Sequence, residues 1–304
     1  MTPESIAITP AASLAQLAAL QPVAEAIFGP GDRRRDWLAR KLRRECVEPR
    51  LCRIAVASGD GTDRVRGYVL VGRPPSLPGL ARTAGTGVLP TAQGHGVGTA
   101  LLQAAAAAAA DDGCSALELW GTPAREPYYR ARGFEVVARV VTLRADGCGD
   151  AQHWRDGLDE PDDAEGMSSL PHGYLDEAWR RTEDEHRGVL WVDRPRAWIR
   201  ITREGVAFVL HRIVVQRSAD AAAVLQRVRQ RLPAGAPILA LALREPGRPG
   251  DADAALGSDE PTTREAVSSV TASLRRRGWR DAQRATILRR PLVADAGQRA
   301  PPLR

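Results

Sequence analysis

The hydrophobic pattern predicts an alternation of strands and helices along the first half of the chain. Between the first two strands, apolar residues recur every three or four positions, and Gly29-Pro30-Gly31 divides this region into two helices. Ser13 or Thr9 can cap the first helix, and Asp32 can cap the second. The predicted strands are residues 5–9, 51–57, 65–72 and a run that ends at Leu89.

The strand that ends at Leu89 leads into a glycine-rich loop and then into a long helix. The loop, Gln93-Gly94-His95-Gly96-Val97-Gly98, has the form Gln-x-x-Gly-x-Gly, and seven alanines from Ala104 to Ala110 extend the helix. The first N–H groups of a helix have no intrahelical partner and lie at its positive end, so glycines there let an anion approach. The loop alone is also consistent with a dinucleotide fingerprint, a nucleotide-triphosphate loop or a tight turn. It lacks the distal acidic residue of the first and the Gly-Lys-Ser or Gly-Lys-Thr ending of the second.

Two further patterns follow this helix. Leu117 to Trp120 is typical of a short strand, and Tyr129 begins the sequence Tyr-x-x-x-Gly-Phe, which ends at Phe134. The order of Val-x-Pro strand, glycine loop, long helix, strand and Tyr-x-x-x-Gly-Phe resembles the GNAT family of acyl-CoA N-acyltransferases. The resemblance covers the first half of the chain. It implies an α/β fold in which helices flank both faces of a mixed sheet.

The resemblance also implies acetyl-CoA as co-substrate. The pantetheine arm would pair with strand backbone near Val88 and Leu89, and a strand N–H near Leu89 would polarise the thioester carbonyl. Tyr129 would be the general acid, because a phenol with a pKa of about 10 can protonate a thiolate whose thiol has a pKa of about 8.5. A packing role for Tyr129 is the alternative. The pyrophosphate would lie on the backbone N–H groups of Gln93, Gly94, His95, Gly96, Val97 and Gly98, beside the hydroxyl of Thr99.

A general base is not evident from the sequence. No acidic residue occurs between Arg64 and Ala110, where many GNAT relatives place a catalytic glutamate. Either water relays the proton of the amine, or a carboxylate comes from another part of the chain. The candidate carboxylates are Asp32, Asp36, Glu118 and Glu126, and a surface role is the default interpretation for all four.

The second half of the chain repeats the same order of patterns. Leu274 to Trp279 aligns with Tyr129 to Phe134, and strand, helix and strand patterns precede it at residues 206–215, 219–232 and 238–243. The segment from Val215 to Asp220 takes the place of the loop but has no glycine, and Asp220 puts a negative charge where a phosphate would lie. We therefore expect a tandem GNAT protein whose second copy is degenerate and binds no CoA. The predicted parts are a GNAT domain over residues 1–145, an acidic solvated linker over residues 146–170 and the degenerate copy over residues 171–304.

Composition changes this interpretation little. The net charge of +6 permits nucleic-acid binding, but Lys41 is the only lysine, and the arginine bias is typical of a GC-rich bacterial genome. The four cysteines form no CxxC pair, so we expect small buried thiols and no metal site. No apolar run is long enough to span a membrane, and no secretion signal opens the sequence. We expect a cytoplasmic protein that binds neither nucleic acid nor membrane.

Together these patterns predict an N-acetyltransferase that moves an acetyl group from acetyl-CoA to a primary amine by direct transfer in a ternary complex. The acceptor, a small molecule or a peptide, has no recognisable signature in the sequence. A non-catalytic acetyl-CoA sensor or scaffold is the alternative, because no base is evident. The sequence does not distinguish an acetyl group from a longer acyl group, or a monomer from a homodimer.

Overall fold

The computed structural model describes residues 5–29, 36–58, 64–149, 154–159, 167–170, 174–244 and 270–292. The chain divides into two compact units, each formed by several stretches of sequence. The first comprises Met1–Leu119, Ala131–Phe134 and Arg289–Arg304, and the second comprises Trp120–Arg130 and Glu135–Leu288. The linear domain boundaries after residues 145 and 170 stay a prediction. Asp32 and part of the predicted linker lie outside the described residues.

The first unit contains a sheet with helices on both faces. Its elements are β1 (Ile6–Pro10), α1 (Leu14–Ala18), α2 (Gln21–Phe28), α3 (Trp37–Arg44), β2 (Arg53–Ala57), β3 (Val65–Gly72), β4 (Leu80–Val88), α4 (Val97–Asp111) and β5 (Ala116–Gly121, as far as Leu119). The strands lie in the order β1-β2-β3-β4-β5. Neighbours are antiparallel except β4 and β5, which are parallel and are connected by α4.

The predicted first helix is two helices in the structure. α1 begins after Ser13, whose Oγ accepts a hydrogen bond from the Gln16 N–H at 3.1 Å, so Ser13 is the cap. α2 begins at Gln21 and has Pro22 in its first turn. A proline is tolerated there but has no N–H to continue a preceding helix, and this separates α2 from α1.

Both faces of β3 are buried, as its alternating pattern predicts. Tyr68 and Leu70 belong to a core that also contains Leu17 of α1 and Leu38 of α3. Val69 and Val71 alternate with them and are fully buried on the other face. α4 packs against β2, β3 and β4. This packing fixes the position of the strand and the helix that border the glycine-rich loop.

The second unit also combines strands with helices. Its elements are α5 (Glu126–Arg130), β6 (Glu135–Asp146), β7 (Ser168–Leu170), α6 (Tyr174–Arg180), β8 (Arg187–Val192), β9 (Ala197–Glu204), β10 (Ala207–Val215), α7 (Ala221–Arg231), β11 (Pro237–Arg244) and β12 (Arg280–Pro291, as far as Leu288). The strand order is β12-β6-β11-β10-β9-β8, and β7 pairs with β10. No helix among the described residues is long and apolar enough to cross a membrane.

The second unit repeats the order of elements of the first, which confirms the predicted tandem fold. β9 and β10 are antiparallel, β10 and β11 are parallel, and α7 connects the parallel pair. The aligned turns also share their geometry, since Gly133 and Gly278 have φ values of +79° and +86°. The aromatic residues that follow them, Phe134 and Trp279, are each 2% exposed.

Candidate active site

In the first unit, β4 and β5 diverge shortly after they meet. The two strands pair only from Leu80 to Arg82, against Ala116 to Glu118, although β4 continues to Val88. The register with β3 shifts at Ala84, an extra residue on β4, and a β-bulge of this kind bends a strand. Among the described residues of this unit, no strand pairs with the β5-side edge of β4 beyond Arg82. A gap between two parallel strands is the result.

The backbone groups of Thr86 and Val88 face this gap. The Leu89 N–H donates to Arg66 O at 2.8 Å, so Leu89 and every second residue before it hydrogen-bond to β3. The intervening residues therefore direct their N–H and C=O groups to the opposite edge. In agreement, Val88 O accepts a hydrogen bond from the Gln93 side chain at 3.0 Å.

This register directs the backbone groups of Val88, and not those of Leu89, to the gap, and the cofactor-binding role of both residues stays a prediction. The N–H of Leu89 is directed towards β3, so it is not one of the donors on the gap edge. The sequence does not identify Thr86, because the edge to which a residue of β4 directs its N–H and C=O groups depends on the strand register and on the bulge at Ala84. Neither of these is visible in a hydrophobic pattern.

The glycine-rich loop has a backbone conformation that requires glycine at two positions. Gly94 and Gly96 have φ values of +81° and +79°, in the left-handed region. A Cβ atom built on either one has no heavy atom within 4 Å, so the space beside both is open. Gly96 is the N-cap of α4, and the first turn of that helix contains no acidic residue. The loop therefore exposes a helix N-terminus that an anion can approach closely.

The polar side chains of the loop stabilise its conformation. His95 Nδ1 lies 2.8 Å from Gln93 O, and the Gln93 amide binds Val88 O, so both side chains contact backbone within this segment. Thr99, in the first turn of α4, accepts a hydrogen bond from Arg132 Nε at 2.9 Å. Arg132 was not among the residues predicted from the sequence. It lies between Tyr129 and Phe134 in the chain, and no spacing rule connects it to Thr99.

Tyr129 lies on α5, which belongs to the second unit, whereas the loop belongs to the first. Tyr128 and Tyr129 are both half-buried, and their rings form an edge-to-face pair with centroids 5.2 Å apart. The role of Tyr129 stays a prediction.

Each described candidate for the base is already ion-paired. Glu126 binds Arg139 at 3.0 Å, and Asp36, which is exposed, lies 3.6 Å from Arg40. Glu118 is 3% exposed and forms a short ion pair with Arg289. In each case the described contact joins the carboxylate to an arginine rather than to another group that could take part in proton transfer.

Glu118 is part of a buried charge network at the point where β4 and β5 diverge. Its Oε2 lies 2.9 Å from Arg289 Nη2, and its Oε1 lies 3.5 Å from Arg82 Nε. Arg82 also binds Glu45 at 2.9 Å, and Glu45 binds Lys41. Burial of Glu45 favours its neutral form, but Lys41 and Arg82 outweigh this and hold its pKa below the ordinary value of 4.5. The network fixes the narrow end of the gap.

In the second unit, the corresponding edge of β10 is paired with a strand. β10 pairs with β11 only from Phe208 to Leu210, and with β9 along its other edge. From Ile213 to Val215 it pairs with β7. Because β9 occupies one edge throughout, β7 must lie on the edge that β11 leaves. The gap that is open beside β4 is therefore filled by a strand beside β10.

The turn after β10 also lacks the features of the glycine-rich loop. Asp220 is the N-cap of α7, and its carboxylate binds Arg217 at 2.9 Å. A carboxylate at this position places a negative charge at the positive end of the helix. This arrangement disfavours a phosphate there.

Cysteines and metal ligands add no further candidate. The described residues contain no cluster of His, Cys, Asp and Glu that could hold a metal ion. Cys52 and Cys114 are buried as expected, whereas Cys46 is half-buried and Cys148 is exposed. Burial raises the pKa of the Cys52 thiol to about 11, so this thiol is neutral at physiological pH.

Comparisons with known proteins agree with this geometry. The family model of the acetyltransferase (GNAT) domain matches residues 50–136, which include β4, the loop and Tyr129. The fold is similar to that of a GCN5-related N-acetyltransferase from Sphaerobacter thermophilus, with a TM-score of 0.56, 14% identity and coverage of 94% of this chain and 96% of that chain. It is also similar to a tandem GNAT protein from the clavulanic acid biosynthesis pathway, with a TM-score of 0.51, 14% identity and coverage of 97% and 100%.

At 14% identity, these structural likenesses concern the fold alone. No curated protein matches the sequence. The family match and the repeated fold are consistent with each other, because the matched residues contain the open gap and the glycine-rich loop. Residues 50–136 thus match the acetyltransferase (GNAT) domain, and the chain as a whole has a fold similar to that of a tandem GNAT protein.

Proposed function

We propose that the protein is an acetyl-CoA-dependent N-acetyltransferase whose cofactor-binding site lies in the first unit. The observation that carries this proposal is the continuity of two features, the unpaired edge of β4 and the loop that follows it. A strand edge binds amides, and a helix N-terminus with open space beside its glycines binds phosphate. Acetyl-CoA contains both amides and phosphates, and its amides lie nearer to the thioester end than its phosphates do.

The residues of the first unit fit such a molecule. The backbone groups of Thr86 and Val88 would pair with the amides of the pantetheine arm, because they lie on the edge of β4 from which β5 diverges. The N–H groups from Gly94 to Gly98 would bind the pyrophosphate, because the space beside Gly94 and Gly96 is open. When bound, acetyl-CoA supplies an activated acetyl group as a thioester.

Direct transfer to an amine requires two proton movements by the protein or its solvent. The amine must lose a proton before or during attack, and the departing sulfur must gain one. We propose that the Tyr129 hydroxyl donates the second proton, as the matching position does in the family. Since the described carboxylates considered above are ion-paired, we propose that water accepts the first.

The Tyr129 assignment is tested by a pair of phenylalanine substitutions on the same helix. Tyr129→Phe should lower kcat by about 10²- to 10⁴-fold, the usual contribution of a positioned acid, and leave the affinity for acetyl-CoA unchanged. Tyr128→Phe is the matched control and should have little effect. The measurement is thiol release from acetyl-CoA with a panel of primary amines, followed against pH. An unchanged kcat in Tyr129→Phe would overturn the role.

We further propose that the second copy binds no CoA. Two observations support this, the pairing of β7 with β10 and the carboxylate of Asp220 at the start of α7. β7 takes the position that the pantetheine arm would take beside β10. The second copy would then have a structural role, and one acetyl-CoA would bind per chain.

A non-catalytic acetyl-CoA sensor or scaffold is the second candidate function. It is favoured by one observation, the lack of any acidic residue between Arg64 and Ala110. Such a protein would bind acetyl-CoA at the same loop but would acetylate no amine in a broad panel of small amines and peptides. Turnover with any acceptor would exclude it. We expect either protein to act in the cytoplasm as a monomer or a homodimer.

A further inference from the structure

Gly85 is a half-buried residue of β4 whose lack of a side chain is required neither by its backbone nor by its packing. Its φ lies outside the left-handed region, so the neighbouring bulge at Ala84 does not depend on a glycine here. A Cβ atom built on Gly85 meets no heavy atom of the described residues within 4 Å. Glycine weakens a strand, and in a strand interior it often marks a site that a ligand approaches closely.

Gly87, the next residue on the same face of β4, shows the opposite packing. A Cβ atom built on Gly87 would lie only 2.8 Å from Ile27 Cδ1, so α2 occupies the space beside this glycine. Gly85 and Gly87 pair with Leu70 and Tyr68 of β3, and paired residues of antiparallel strands share a face. This is the face that packs against α1 and α3. Beside Gly85, the same apolar face has open space.

The proposed orientation of acyl-CoA places its acyl group next to Gly85. The pyrophosphate would lie at the loop after β4, and the amides would pair with Val88 and Thr86. The thioester lies beyond the amides, so it would lie beside the residues that precede Thr86 in β4. The gap closes shortly after this point, because β4 and β5 are paired from Arg82 to Leu80. An acyl chain at this end of the gap therefore has room on the face that Gly85 leaves open.

We infer that the site accepts acyl groups longer than acetyl and that Gly85 determines the accepted length, an inference that rests on the proposed function. An ordinary strand residue such as valine would fill this position with about three carbon atoms, and glycine leaves that room to the ligand. Leu70 and Ile27, which pack on the same face, are apolar and suit a saturated chain. The donors would therefore include propionyl-CoA and butyryl-CoA as well as acetyl-CoA.

Calorimetric titration with CoA, acetyl-CoA, propionyl-CoA and butyryl-CoA tests this inference without a known acceptor. Gly85→Ala and Gly85→Val fill the space in two steps, and both residues are compatible with the backbone of a strand. CoA is the matched control ligand, because it has the same amides and phosphates but no acyl group. Gly157→Ala is the control variant, since Gly157 lies in the second unit and its φ is also outside the left-handed region. Melting temperatures show whether each variant is folded.

Each additional methylene group should raise the affinity of the wild type by about fourfold, the usual gain from burying one such group. Gly85→Ala should reduce this gain, and Gly85→Val should bind butyryl-CoA about tenfold more weakly than the wild type does. The affinity for CoA should be the same in all variants, and Gly157→Ala should resemble the wild type with every ligand. If Gly85→Val does not fold, the same comparison with Gly85→Ala decides.

Two results would overturn the inference while the proposed function stands. One is a wild type that binds acetyl-CoA but gains no affinity from acetyl-CoA to butyryl-CoA, and the other is an undiminished gain in the folded Gly85 variants. If the wild type binds none of the four ligands, the proposed function itself is wrong, and the inference with it.

Discussion

Gly96 and Gly113 provide a matched pair for testing the phosphate-binding loop. They lie at opposite ends of α4, with φ values of +79° and +80°, and a Cβ built on either meets no heavy atom within 4 Å. An alanine at either position therefore costs only the strain of a left-handed backbone, about 1 kcal/mol after the gain from a stiffer unfolded chain. Both variants should lose roughly 2–4 °C in melting temperature, as is usual for a unit of this size.

The affinity for acetyl-CoA should distinguish Gly96→Ala from Gly113→Ala. At Gly96 the new methyl group would occupy the open space through which a phosphate reaches the N–H groups of the first turn of α4. The loss of one or two charge-assisted hydrogen bonds costs about 1.5–3 kcal/mol each, or roughly ten- to a hundredfold in affinity per bond. At Gly113 the methyl group lies at the other end of the helix, far along its axis from the loop.

The assay is calorimetric titration of acetyl-CoA into Gly96→Ala, Gly113→Ala and the wild type, with melting temperatures from the same preparations. We expect all three to be folded and only Gly96→Ala to bind more weakly. Unchanged affinity in Gly96→Ala would refute the assigned cradle. An equal loss in Gly113→Ala would show that affinity follows helix stability rather than the loop.

Three further predictions follow from burial and charge. Glu118→Ala removes the buried partner of Arg82 and Arg289 and should lower the free energy of unfolding by about 3–5 kcal/mol. Glu185→Ala, which removes the exposed partner of His186, should leave the free energy of unfolding almost unchanged. Equal effects of the two substitutions in denaturant titration would contradict this prediction. Because the pKa of Glu45 is depressed in the folded state, its contribution to stability is present above its ordinary value of 4.5 and is lost as the pH falls below it. Glu45→Gln should therefore show a smaller loss of stability than the wild type between about pH 6 and about pH 3, and an identical loss would exclude the assignment. N-ethylmaleimide at about pH 8 should label the exposed Cys148 in the native protein but not Cys52, whose thiol is buried and neutral. Peptide mass spectrometry identifies the labelled cysteine. Labelling of Cys52 would contradict its burial.

The sequence was sufficient to predict the order of elements because each signal is local. Val65–Gly72 coincides with the predicted strand, and the alanine run from Ala104 to Ala110 lies within α4. The repeat was recognisable for the same reason, since Gly133 and Gly278 occupy equivalent left-handed turns. The break between α1 and α2 was missed because the helical spacing of Leu14, Leu17 and Leu20 continues across it.

Features that depend on register or on distant pairs were not predictable. The bulge at Ala84 helps to decide which backbone groups of β4, such as those of Thr86, face the gap. Hydrophobic alternation does not locate a bulge. Arg132 and Thr99 are joined by tertiary folding alone. The pairing of β7 with β10 is likewise invisible, because a strand of three residues has too short a pattern to recognise.

The most direct test of the account is amide hydrogen exchange with and without acetyl-CoA. The amides of Thr86 and Val88 and of the loop from Gly94 to Thr99 should exchange faster without the ligand and gain protection when it binds. Between Ile213 and Val215, the amides on the edge of β10 that pairs with β7 should be protected without ligand, and their exchange rates should not change when acetyl-CoA is added. Protection that appears at β10, or that fails to appear at β4, would contradict the claim that acetyl-CoA binds only the first copy.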